Sequence, residues 1–105
     1  MRRIIIPQYA KVAAKKGLEL RASLPKSKKF GLSPEEARAE GVDSGVTRAR
    51  RIIKNKYMYE WEIRKVAKFW SRFRNCKTFN CEGSHLLWGG RRFGREMFNL
   101  TQKWK

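Results

Sequence analysis

Tyr59-Glu60-Trp61-Glu62-Ile63-Arg64-Lys65-Val66-Ala67-Lys68-Phe69-Trp70-Ser71-Arg72-Phe73 decides the fold of this 105-residue chain. Within it Tyr59, Ile63, Val66, Trp70 and Phe73 recur at spacings of 4, 3, 4 and 3, which lines one face of an α-helix. Trp61 and Phe69 widen that apolar side, and Arg64, Lys65, Lys68 and Arg72 form the polar one. The pattern predicts the central core helix of an all-α protein.

Working outward, Asn55-Lys56 reads as a turn, and a preceding helix runs over about 45–54, capped by Asp43 or Ser44. Its inward side is Val46, Ala49 and Ile53 with Ile52 beside them; its outer side is Arg48, Arg51 and Lys54, with Arg50 between. Two helices and a short turn over 45–73 have the outline of a helix-turn-helix. The same residues also suit a basic face that lies on phosphate without entering a groove. Few Asn or Gln are available on the second helix to read adenine, so little sequence preference is expected.

Further upstream, Ser33-Pro34-Glu35-Glu36 is a helix start: Ser33 at the N-cap, Pro34 in the first helical position and Glu36 closing a capping box. This accounts for Glu35 and Glu36 without chemistry, because helix neighbours point about 100° apart and cannot flank one bond. Gly41 ends that helix. Residues 8–22 read as another, with Tyr9, Val12, Ala13 and Leu20 on one face, although Gly17 counts against it. Residues 1–7 are expected to be a short N-terminal extension and 24–32 a solvated, mobile basic linker. Downstream, 74–83 reads as a loop, 84–90 as an apolar turn stopped by Gly89-Gly90, and Phe93, Met97, Leu100 and Trp104 as a last helix. No β-type alternation stands out, so the expectation is a single all-α domain of about five helices.

Charge carries the functional information. There are 26 Lys or Arg against 9 Asp or Glu, a formal charge of +17. Residues 1–29 hold nine bases and one acid, 30–45 one and four, 46–74 ten and two, and 75–105 six and two. A solubilising surface on a small domain needs a net charge of only about 2 to 8. Such an excess repels itself unless a polyanion screens it, and nucleic acid is the commonest such partner. The expected phosphate contacts are Arg48, Arg50, Arg51, Lys54, Arg64, Lys65, Lys68 and Arg72, with Arg91, Arg92 and Arg95 as a second cluster at a helix start. Tyr57 and Trp61, near a helix start, are the aromatics best placed to stack on a base.

Cys76, Cys81 and His85 form a C-x4-C-x3-H run. Zinc prefers four ligands and tighter spacing, so the expectation is no metal, no cofactor and no enzyme, with the thiols reduced and His85 a core or capping residue. No apolar run reaches a membrane-spanning length, and the start is too short in apolar residues for a signal peptide, so neither membrane nor export is expected.

Three strings together resemble a small, functionally uncharacterised domain of tailed-bacteriophage proteins: Gly45-Val46-Thr47-Arg48-Ala49-Arg50, Phe69-Trp70-Ser71-Arg72-Phe73, and Leu86-Leu87-Trp88-Gly89-Gly90 with Gly94 following. Residues 14–21 resemble that domain's first helix. This chain has Phe73 where the family usually has histidine, and two cysteines in a loop that is otherwise polar. The resemblance implies a phage protein in an infected bacterial cytoplasm or a virion. The expected function is a small basic nucleic-acid-binding protein, DNA favoured over RNA and duplex over single strand. The rivals are a phage assembly or host-inhibitor protein acting on a host or phage protein partner, and an RNA- or ribosome-associated protein.

Overall fold

The structure, a computed structural model, describes residues 2–31, 33–40 and 44–104. The chain order is β1 (Arg3–Ile5), α1 (Gln8–Ala22), a 3-10 turn at Lys26–Lys28, α2 (Pro34–Glu40), α3 (Gly45–Lys54), β2 (Tyr57–Tyr59), α4 (Glu60–Phe73), α5 (Phe79–Leu87) and α6 (Arg91–Gln102). The fold is mostly α, with six α-helices among the described residues. Local signals place the helix starts. Ser33 N–H donates to the Glu36 carboxylate at 2.9 Å and Glu36 N–H to Ser33 Oγ at 3.2 Å, the expected capping box. Ser44 Oγ accepts from Thr47 N–H at 3.0 Å at the start of α3. Gly41 and Asp43 lie outside the described residues.

The structure corrects four expectations. The N-terminal extension forms β1, paired antiparallel with β2 in the register Arg3↔Tyr59, Ile4↔Met58, Ile5↔Tyr57. Three-residue strands are too short to show alternation; β2 follows directly after the expected Asn55-Lys56 turn, and α4 begins at Glu60. The basic linker is anchored: Phe30 is only 2% exposed, and Lys29 Nζ donates to the carbonyls of Arg21 and Leu24 at 2.7 and 2.8 Å. Leu32 lies outside the described residues. Part of the expected 74–83 loop is the start of α5, capped by Thr78 Oγ1, which accepts from Cys81 N–H at 3.2 Å. Finally, α1 turns Ala10, Ala14 and Gly17 inward, while Val12 is 57% exposed.

That last correction has a packing cause. Small residues let α1 approach α3 and α5 closely, and a Cβ on Gly17 would stand 3.0 Å from both Leu86 Cβ and Leu87 N. On the other side α4 packs along α6, where a Cβ on Gly94 would meet the Trp70 side chain at 2.8 Å. Ile52, Met58, Ile63, Val66, Leu87 and Phe93 fill the space between. α3 therefore packs on α1 and α5 whereas α4 packs on α6, and the two helices of 45–73 do not lie against each other along their length. The helix-turn-helix outline is not realised as a packed pair.

Side-chain N–H donors hold several helix ends. Lys11 Nζ donates to the carbonyls of Ile52, Ile53 and Asn55 at 2.7, 3.0 and 2.5 Å, supplying the donors that the C-terminus of α3 lacks. Lys29 does the same for α1. At the end of α4, His85 Nε2–H donates to the Phe73 carbonyl at 3.0 Å.

Candidate nucleic-acid interface

At 3.6 residues per turn, Trp61, Lys65, Lys68 and Arg72 fall within an arc of about 60° on α4. That arc faces away from buried Ile63, Val66 and Ala67. Trp61, Lys68 and Arg72 are exposed and Lys65 is half-buried. Arg64 flanks the arc, tied to Glu60 at 3.0 Å and lying 5.1 Å from the centre of the Trp104 ring. Arg2 stands 4.8 Å from the same ring. Beside the stripe, Arg64, Lys68 and Arg72 from α4 and Phe98 and Thr101 from α6 line an open groove of about 500 Å³.

Beneath the N-terminal end of this face lies an ion cluster. Glu62, 2% exposed, accepts from Arg48 Nη1 at 2.5 Å and from Arg51 Nε at 3.1 Å. Arg48 is itself only 5% exposed, so it belongs to the interior and is removed from the expected phosphate contacts. The α3 pattern placed it outward because the partner that draws it in sits on another element. Arg51 reaches the surface, and its hydrogen bond to Glu62 raises its already high pKa further. Around the exposed Trp61 ring, Lys65 Nζ lies 5.4 Å from the centre, with the Arg51 and Arg48 guanidiniums at 5.5 and 5.8 Å.

The other expected residues divide. Arg50 and Lys54 are exposed on α3, and Arg95 on α6. Arg92 is exposed but pairs with Glu96 at 3.5 Å and lies 4.1 Å from the centre of the Tyr9 ring. Arg91 turns away from the helix start: it donates to the Arg74 and Cys76 carbonyls at 2.7 Å each and pairs with Glu82, so its role is structural. Its hydrogen bond, and then its charge, lower the Glu82 pKa. Tyr57, the other stacking candidate, is half-buried with the Arg3 guanidinium 4.3 Å from its ring centre.

Cys76, Cys81 and His85 do come together, with their ligating atoms within 4.8 Å of one another. Cys76 and Cys81 are joined as a disulfide, their Cα atoms 6.2 Å apart, which corrects the expectation of two separate reduced thiols. A disulfide leaves neither sulfur as a thiolate ligand, so these three residues are not a metal ligand set in this form. His85 is buried as expected, and burial lowers its pKa.

Comparison with protein-family models, curated proteins and solved structures returned no match to this chain. Sequence reasoning missed Glu62 and Lys11. The only signal for Glu62 was an acid two residues into an otherwise cationic helix, which the helix dipole explains equally well.

Proposed function

We propose that this chain is a small basic nucleic-acid-binding protein of a tailed phage, engaging phosphate backbone, duplex DNA included, through the outward face of α4 with little sequence preference. The observation that carries the reading is the cationic stripe of Lys65, Lys68 and Arg72, bordered by Arg64, along the groove between α4 and α6. Among the described residues Lys68 and Arg72 enter no ion pair. From Lys65 to Arg72 the helix rises about 10 Å, the length of roughly three base-pair rises of about 3.4 Å measured along a duplex axis. Lys and Arg there meet phosphates, while α4 offers no Asn or Gln for base edges. Arg51 and Lys54 extend the positive field onto α3.

Three charge reversals on this face, Lys65→Glu, Lys68→Glu and Arg72→Glu, are compared with three of equal charge change elsewhere, Lys15→Glu, Lys16→Glu and Lys26→Glu. In a mobility shift on duplex DNA the first set abolishes binding at moderate salt and the second leaves most of it. Equal loss in both sets would assign the affinity to total charge and overturn the face; no shift with the unaltered protein would favour a protein partner.

A further inference from the structure

We infer that Trp61 is a stacking platform for an unpaired base of the bound strand, which gives the α4 face a contact with single-stranded nucleic acid that a continuous duplex cannot make. This base subsite rests on the nucleic-acid reading above and adds to it.

The tryptophans are not equivalent. Trp88 stacks on Phe69 with ring centres 4.6 Å apart and planes within 3°, Trp70 packs on Phe98 at 5.2 Å, and Trp104 has guanidiniums at 4.8 and 5.1 Å. Trp61 is 52% exposed, on the same arc of α4 as Lys65, Lys68 and Arg72. Lys65 Nζ and the Arg51 and Arg48 guanidiniums lie over the ring at 5.4 to 5.8 Å from its centre, within cation–π range, and about half of the indole still stands open to solvent. The two guanidiniums are fixed from below, because Glu62, next in the chain, holds Arg51 at 3.1 Å and Arg48 at 2.5 Å.

A half-exposed indole with cations packed against it is complementary to a planar ring carried on an anionic backbone. A nucleotide supplies both: the base covers the indole while the flanking phosphates meet Arg51 and Lys65. In a duplex both faces of each internal base are already covered by neighbours, so the indole gains no stacking there.

The test uses fluorescence anisotropy with a labelled oligothymidylate of about 12 nucleotides, within the usual single-strand site size, and a duplex of the same length. Trp61→Ala is expected to weaken single-strand binding roughly 5- to 150-fold, with duplex affinity and the salt dependence of both unchanged. Trp61→Phe restores most of the loss. A strand with the same phosphates but abasic sugars tests the idea without altering the protein: the unaltered chain should lose the same factor, and Trp61→Ala should lose nothing more. Unchanged single-strand affinity in Trp61→Ala, or equal losses on strand and duplex, would overturn the stacking subsite while leaving the phosphate face standing. Absence of salt-dependent binding to either form would overturn both.

Discussion

A carboxylate taken out of water needs other partners in place of its hydration shell, and Glu62 finds them in Arg48 and Arg51. Removing one side of such a cluster leaves a buried charge uncompensated, which typically costs about 3–5 kcal/mol. Glu62→Leu should therefore lower the unfolding free energy in urea by about that amount, and adding Arg48→Met should recover much of it. A decrease below about 0.5 kcal/mol in the single variant would mean that the cluster does not hold α3 to α4. His85 makes a second prediction at this scale. Burial depresses its folded pKa below 6.5, and its Nε2–H is bonded to the Phe73 carbonyl. The unfolded chain then binds the proton more tightly, so the contribution is full above pH 6.5 and lost as pH falls through the folded value. Glu36, lowered by its Ser33 hydrogen bonds, and Glu82, lowered by Arg91, add stability above 4.5 that is lost as pH falls below it. Thermal melts should thus decline in two stages on acidification. His85→Gln, which can still donate to Phe73, should remove the upper stage only; an unaltered upper stage would contradict the assignment.

Helices whose ends are set by neighbouring residues were legible in the sequence. The bounds of α1 and α3 match the expected ones; Pro7 marks the start of α1, and the Ser44 cap and the Ser33–Glu36 box have the expected hydrogen bonds because N-capping is decided within four residues. What failed depended on distant partners. β1 and β2 are three residues each and exist through each other. The inward face of α1 is made of Ala10, Ala14 and Gly17, which a search for large apolar residues passes over. Lys11 shows how a surface-type residue becomes part of a helix end: its ammonium meets three carbonyls at the end of a helix distant in sequence. Lys11→Met keeps the aliphatic stem and deletes those bonds. It should lower stability by about 1.5–3 kcal/mol, the range for hydrogen bonds to charged groups, with exchange protection falling first at 52–55. Uniform loss of protection across all helices would place the effect elsewhere.

At the scale of the whole molecule, +17 is a net figure for cations with different duties. Lys11, Lys29, Arg48 and Arg91 are engaged inside the fold, and composition alone could not separate them from those that face outward. The partner class is an expectation from charge alone, and of the expected contacts only those on α4 were grouped on one face by their own local periodicity. Arg64, Lys65, Lys68 and Arg72 were brought to one face by the periodicity of α4, whereas Arg48 and Arg91 left the site because of residues far along the chain. The remaining outward charge still exceeds what solubility requires, and its proposed use is as a phosphate-binding surface.

The salt dependence of duplex binding tests that use most directly. About four to six phosphate contacts predict a log–log slope of affinity against salt between roughly −3.5 and −5, and each phosphate partner that a reversal on α4 removes should reduce the magnitude by about 0.9. A slope near zero, or one that the Lys65, Lys68 and Arg72 reversals leave unchanged, would contradict the assignment of this face to nucleic acid.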